Sequence, residues 1–281
     1  MKLLRYGPVG HEQPGVLDKA GRVRSLAGIV DDIDGALLAS GFAALSGIDF
    51  DALPLVADEV RIAEPVARVG KFICIGLNYR DHAAESGQPI PSEPIIFTKA
   101  TSAIIGPNDT VLLPPTSAKA DWEVELGLVI GKECRYVSEA DAMDHVAGLC
   151  VVNDLSEREY QLERGGSWDK GKGCDTFGPF GPWLVTLDEV DDVGNLALWL
   201  DLNGQRMQTG NTSALIFNVP FIVHYVSQFM SLQPGDLITT GTPPGVGMGK
   251  KPPMWLKEGD VMTLGIDGLG QQRQDVKRYG A

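Results

Sequence analysis

At 281 residues the chain can form one large domain, or a large one with a small one attached, and 43% hydrophobic residues with a mean hydropathy of -0.02 fit a soluble globular protein. A formal net charge of -13 and a pI near 4.7 argue against broad contact with a phosphate backbone, so nucleic acid is not an expected partner. The cysteines Cys74, Cys134, Cys150 and Cys174 stand singly without C-x-x-C spacing, as in reduced cytoplasmic proteins, and Asn, Gln, His and Pro interrupt the longest uncharged stretch, residues 207–235, so no membrane span is expected.

Residues 1–65 read as a small N-terminal α+β domain: a short strand, a Gly-rich turn region and a helix over 35–45, with no obvious chemistry. Pro65 ends it, and the apolar run from Val69 to Gly76 opens a larger unit covering 66–281. Asn78 is placed to cap a short helix over 79–86, with Gly87 as its terminator. On that helix His82 and Glu85 share a face, and a carboxylate beside a histidine orients the ring and makes it more basic. Alone, such a pair is usually surface decoration. Lys99 closes the strand-like run Ile95-Ile96-Phe97-Thr98, where it could line the mouth of a site.

From Trp122 to Ile130 large apolar residues alternate with others, the period of a strand, so Glu123 and Glu125 point to one face. An isolated Glu-x-Glu is normally solvated. Here the apolar run 146–152 ends nearby in Asn153-Asp154, and a third carboxylate at a strand end would give three oxygen ligands with positions open for water or substrate. Such a set suits Mg²⁺ or Mn²⁺ better than zinc. Arg158 and Gln161 follow Asp154 at helical spacing, and Lys170 and Lys172 occupy a Gly-rich loop that would ordinarily be mobile and solvated.

Asn203-Gly204 marks a hairpin. After Pro220, Phe221, Ile222, Tyr225, Val226 and Phe229 are expected on one helical face, with His224 a core or surface residue rather than a ligand. Asp236 and Asp260 sit in turns that lead into strands. Thr242, in Gly-Thr-Pro-Pro-Gly, offers a hydroxyl that could meet a substrate carboxylate or belong to a rigid turn.

Taken in order, Gly76-Leu77-Asn78-Tyr79-Arg80-Asp81-His82-Ala83-Ala84-Glu85, Phe97-Thr98-Lys99, Trp122-Glu123-Val124-Glu125-Leu126, Asn153-Asp154, Arg158, Gln161, Lys172-Gly173-Cys174-Asp175-Thr176-Phe177, Asn203-Gly204 and Gly241-Thr242-Pro243-Pro244-Gly245-Val246-Gly247 resemble the fumarylacetoacetate hydrolase family, over about residues 71–274. The resemblance implies an α+β, β-rich fold with a mixed β-roll core, and Mg²⁺ (Mn²⁺ or Ca²⁺ being possible) on Glu123, Glu125 and Asp154. It implies hydrolysis or decarboxylation of 2-oxo acids that carry a second carbonyl.

The resemblance also makes His82-Glu85 a water-activating pair on a lid. It singles out Lys172 over Lys170 as the charge that stabilises an oxyanion, and makes Arg158 and Gln161 substrate-facing, a surface Arg-Glu pairing being the alternative; Thr242, Tyr79 and Lys99 complete the substrate-binding candidates. Larger animal-type members carry an aspartate ligand where this chain has Asn78, so a water is expected to replace it, as in the smaller bacterial type. The 245–257 loop and the 268–274 ending resemble the subgroup acting on 2,4-diketo-3-deoxy sugar acids from fucose or rhamnose, whose members are often labelled ureidoglycolate lyases. Acylpyruvate or fumarylpyruvate hydrolysis, oxaloacetate decarboxylation, double-bond isomerisation and non-catalytic sugar-acid binding are the alternatives. A homodimer is the family expectation.

Overall fold

The apolar runs Phe72–Gly76, Val124–Ile130 and Val146–Asn153 are buried on both faces, and each forms an interior strand of a large mixed sheet. The computed structural model describes the chain apart from Asp58, Ser86, Ala281 and the side chain of Ala84. Among the described residues this sheet has eleven strands. Its main path runs Val23–Ser25, Gln13–Leu17, Lys2–Tyr6, Gly178–Thr186, Val146–Asn153, Val124–Ile130, Leu237–Thr239, Phe72–Gly76 and Ile95–Lys99. Neighbours on this path are antiparallel except Leu237–Thr239 against Phe72–Gly76, which run parallel.

A second sheet of five strands, Gln205–Asn211, Ala197–Leu202, Val261–Ile266, Gly270–Arg278 and Val111–Leu113, covers one face of the first. Leu126, Leu128 and Ile130 on the first sheet and Leu198, Leu200, Met262 and Leu264 on the second belong to one buried core. On the opposite face, Leu3, Val16, Leu37 and Leu38 pack with Phe72, Cys74, Val129 and Cys150. The fold is mostly β, as the alternating and continuous apolar runs imply. The first 65 residues add edge strands to the main sheet through the pairing of Lys2–Tyr6 with Gly178–Thr186.

Several elements differ from the sequence expectation. The helix expected over 35–45 is an α-helix at Gly35–Ala39, capped by Asp34, and a separate 3-10 turn at Ala43–Leu45. Gly41, at φ 63°, breaks it. The ladder of the Glu-x-Glu strand starts at Val124, because Ala120–Asp121 pairs instead with Ser156–Glu157.

The helix Val219–Ser227, capped by Asn218, buries Val219, Ile222, Val223 and Val226. Phe221 and Tyr225 occupy a neighbouring stripe, stacked with ring centroids 5.9 Å apart, and Phe229 beyond the helix end is exposed. The Asn203-Gly204 hairpin forms as expected, both residues at positive φ. Asp236 and Asp260 close their turns by accepting the Gln233 and Lys257 N–H groups. No helix among the described residues is long and apolar enough to cross a membrane.

Candidate metal and active site

Strand register assembles three carboxylates. Val124 faces Asn153 across the ladder, and the Asp154 N–H donates to the Glu123 carbonyl at 2.9 Å, so Asp154 emerges beside the Glu-x-Glu strand. Glu123, Glu125 and Asp154 each offer a carboxylate oxygen, all within 4.8 Å of one another, and all three residues are buried.

Three cations from different elements compensate them. Lys172 Nζ, on the short helix Asp169–Lys172, donates to Glu123 Oε2 at 2.5 Å and to Asp154 Oδ2 at 2.7 Å. Arg158 donates from Nη2 to Glu123 Oε1 at 2.5 Å, and Lys99 Nζ to Asp154 Oδ1 at 2.6 Å. Burial opposes ionisation of Glu123, but Arg158 and Lys172 outweigh it and hold its carboxyl well below the usual range. Burial likewise opposes the charge on Lys172, and the Asp154 and Glu123 carboxylates overcome it, so the ammonium stays protonated.

Glu125 is the exception. Burial, followed by the charges of Asp154 and Glu123, pushes its carboxyl up, and the Gly241 N–H that it accepts at 2.8 Å offsets only part of this. A divalent cation beside these oxygens would favour the ionised form of Glu125. The donor set fits one: carboxylate oxygens are hard ligands suited to Mg²⁺, Mn²⁺ or Ca²⁺. Each oxygen of Glu123 and Asp154 has two lone pairs, so a bond from Lys172, Arg158 or Lys99 leaves a second one for a metal.

Glu123, Glu125, Arg158, Gln161 and Lys172 line a cavity of about 610 Å³. Ile95, Phe97 and Trp168 form an apolar wall, and the Lys172 ammonium lies 4.9 Å from the Phe97 ring centroid. The helix Arg80–Glu85 borders the cavity through His82 and Glu85. His82 Nδ1 lies 3.2 Å from Glu85 Oε2. The Gly245 N–H donates to Glu85 at 3.0 and 3.1 Å. Burial opposes the Glu85 charge, yet the bonds from His82 and Gly245 hold its carboxyl below the ordinary value.

The structure thus brings His82, Glu85, Lys172, Glu123, Glu125, Arg158, Gln161 and Thr242 around one cavity, with Asp154 in the carboxylate cluster at its floor, and places Lys99, Tyr79 and Asn78 elsewhere. Lys99 is 3% exposed and lies beneath the carboxylates, bonded to Asp154 and to the Leu155 carbonyl, not at the mouth. Tyr79 is fully buried in the core and is not among the residues lining the cavity, and burial and then Glu125 raise its ionisation range. Thr242 borders the cavity, but its hydroxyl donates to the Val124 carbonyl at 2.9 Å and accepts from Gln208 Nε2 at 2.8 Å, which ties the loop to the strand. Asn78 does not cap the helix. Its amide donates to the Phe217 and Thr240 carbonyls and accepts the Phe217 N–H, clamping two loops.

Two residues that sequence reasoning left without a role hold this arrangement. Asp121, fully buried, accepts Arg158 Nε at 2.9 Å, the Gly247 N–H at 2.6 Å and the Met248 N–H at 3.1 Å. Its place two residues before Glu123 was the available signal. Gln208 accepts the Val124 N–H at 3.0 Å and donates to the Pro243 carbonyl at 2.8 Å. Nothing in its hairpin sequence marks it. Cys174 is neutral, burial pushing its thiol up to about 11, as expected of a packed cysteine.

The family description "Fumarylacetoacetate (FAA) hydrolase C-terminal" matches residues 71–277. A Burkholderia cenocepacia protein, named only as a candidate hydrolase, is 61% identical over 279 residues, 99% of each chain. A fumarylacetoacetate hydrolase from Exiguobacterium antarcticum superposes with a TM-score of 0.89 at 34% identity, covering 99% of this chain and all of the other. A 2-hydroxyhepta-2,4-diene-1,7-dioate isomerase from Mycobacterium marinum gives 0.79 at 34% identity over the whole of both chains. A maleylpyruvate hydrolase from Sphingobium, solved with manganese(II) and pyruvate, gives 0.82 at 29% identity over 99% of each.

Proposed function

Because the chain belongs to the fumarylacetoacetate hydrolase family, we propose that it hydrolyses a carbon-carbon bond in a 2,4-dioxo acid with a divalent metal ion, releasing pyruvate and a small acid. Within that class the substrate proposed is a 2,4-diketo-3-deoxy sugar acid of fuconate or rhamnonate type. Mg²⁺ is taken as the native ion and a cytoplasmic homodimer as the working unit, all on family resemblance. The observation that carries the reading is the buried Glu123, Glu125 and Asp154 cluster opening, beside Lys172, into a cavity bordered by His82 and Glu85. The Sphingobium relative, with manganese and pyruvate in its structure, supports the same chemistry.

Bound to the three carboxylates, the metal would supply Lewis acidity to the carboxylate and 2-oxo group of the substrate. In the tautomer that donates from Nδ1 to Glu85, His82 would use Nε2 to take a proton from the water that attacks the C4 carbonyl. Lys172, held protonated and fixed by two carboxylates, stabilises negative charge developing on oxygen. Collapse of the C4 adduct breaks the C3–C4 bond, and C3 takes up a proton to give pyruvate. Gln88, Lys250 and Lys251 at the cavity border suit a hydroxylated or carboxylated tail. The Mycobacterium marinum relative, named an isomerase, favours double-bond isomerisation as a second reading.

The test is pyruvate release, coupled to lactate dehydrogenase, from a 2,4-diketo-3-deoxy sugar acid, acetylpyruvate, fumarylpyruvate and oxaloacetate, with Mg²⁺ or Mn²⁺ and with EDTA. Metal-dependent release from the sugar acid is the expected result. Release from another member alone reassigns the substrate. No release from any removes hydrolysis in favour of isomerase, lyase or binding activity.

A further inference from the structure

The loop after Gly-Thr-Pro-Pro-Gly closes on the helix that carries Glu85, and a glycine shapes the contact. Gly247–Gly249 is a single 3-10 turn. Asp121 holds its start by accepting the Gly247 and Met248 N–H groups. Trp122 Nε1 donates to the Gly245 carbonyl at 3.1 Å, while the Gly245 N–H donates to Glu85. The loop is therefore tied below to the metal-site strand and above to the proposed base pair.

At the end of this turn, a Cβ on Gly249 would lie 2.6 Å from Glu85 Cδ and 2.9 Å from both carboxylate oxygens. Real Cβ atoms do not approach that closely, so a side chain there must displace the Glu85 carboxylate. Gly249 has no positive φ, so alanine is compatible with its backbone. The displaced group is the end of a flexible side chain, and moving it disturbs no core packing. Substitution at Gly249 is thus expected to act on Glu85 selectively.

We propose that Gly249, seated by Asp121, is a positioning residue for the reaction: its missing side chain is the space in which the Glu85 carboxylate meets both His82 and the Gly245 N–H. The inference rests on the reading of His82-Glu85 as the water-activating pair. Asp121 extends the link, because the same carboxylate that seats the turn also holds Arg158 at the metal-site strand. The carboxylate that orients the base and the cluster that would hold the metal then share one rigid frame.

The experiment compares Gly249→Ala, Glu85→Gln and the double variant, using acetylpyruvate with Mn²⁺ as the probe, together with thermal melts and ¹⁵N NMR of the imidazoles. The proposal expects Gly249→Ala to melt like the wild type and to lose at least about tenfold in kcat with KM little changed. It expects the double variant to be no slower than Glu85→Gln alone, because both act through one carboxylate. In the NMR arm, His82 moves from the tautomer protonated at Nδ1 toward the other in both single variants. Glu85→Asp, one methylene shorter, should partly restore kcat in the Gly249→Ala background. A Gly249→Ala enzyme with wild-type kcat and His82 tautomer, beside a slow Glu85→Gln, overturns the proposal. Should Glu85→Gln itself turn over at the wild-type rate, the reading of the base pair fails instead. If acetylpyruvate is not turned over, the tautomer decides: an unshifted His82 in Gly249→Ala overturns the proposal and a shifted one supports it.

Discussion

Replacing Lys172 by methionine removes the cation shared by two buried carboxylates and keeps much of its volume. Lys172 Nζ is bonded to both Glu123 and Asp154, and the residue is 2% exposed. Breaking a buried ion pair by deleting one partner costs roughly 3–5 kcal/mol; Arg158 stays bonded to Glu123 and Lys99 to Asp154, so that range is the upper bound here. An unfolding entropy of about 2.1 cal/mol/K per residue over 281 residues gives roughly 0.6 kcal/mol/K, so the bound corresponds to about 5–8 °C in Tm.

A divalent cation at the same carboxylates replaces the missing charge. At one hundred times its dissociation constant it contributes about 2.7 kcal/mol, or roughly 4–5 °C. Differential scanning calorimetry at pH 8 should therefore show Lys172→Met well below the wild type in EDTA, with the gap narrowing in Mn²⁺ because the ion binds the variant more tightly. A variant melting within about 2 °C of the wild type in EDTA, or a gap indifferent to Mn²⁺, would refute the electrostatic account of the site.

Three further outcomes follow from the same geometry. His82→Ala should lower kcat by about 10²–10⁴-fold while calorimetric Mn²⁺ titration shows undiminished binding, since His82 faces the cavity without being a carboxylate ligand. Glu85 is held below its ordinary carboxyl range, so its stabilising bonds to His82 and Gly245 are fully present above that range and are lost as pH falls through its lowered value. The melting difference between wild type and Glu85→Gln should accordingly close only below about pH 4.5, the ordinary glutamate value. Leu126→Ala, at a fully buried position on the strand carrying both glutamates, should cost about 2–5 kcal/mol by chemical denaturation.

The carboxylate cluster was legible because period-2 alternation fixes which face Glu123 and Glu125 share, and because Asp154 follows an apolar run that could only be a buried strand. The pairing of His82 with Glu85 was legible from helical spacing. What escaped was set by long-range contacts. Lys99 reads from sequence as a strand-end lysine, and only the packing of Ile95–Lys99 at the sheet's far edge, against the helix of Lys172, sends its ammonium beneath Asp154. Asn78 has the chemistry of a cap, but the loops at Phe217 and Thr240 compete for its amide and win. On the helix after Pro220, Ile222 and Val226 enter the core as expected and Val219 and Val223 join them, while Phe221 and Tyr225 remain partly exposed and Phe229 is exposed. Apolar periodicity alone does not separate two adjacent apolar stripes. Thr242 reads from sequence as a ligand contact or a turn residue, and Gln208, distant in sequence, ties its hydroxyl to the turn while the residue still borders the cavity.

The most direct test of the account is a crystal soaked with Mn²⁺ and oxalate, a two-carbon mimic of the carboxylate and 2-oxo group, with anomalous data collected at the manganese edge. The account predicts an anomalous peak within bonding distance of oxygens from Glu123, Glu125 and Asp154, with oxalate on the cavity side beside Lys172. A peak bound elsewhere, or none at saturating Mn²⁺, would contradict it.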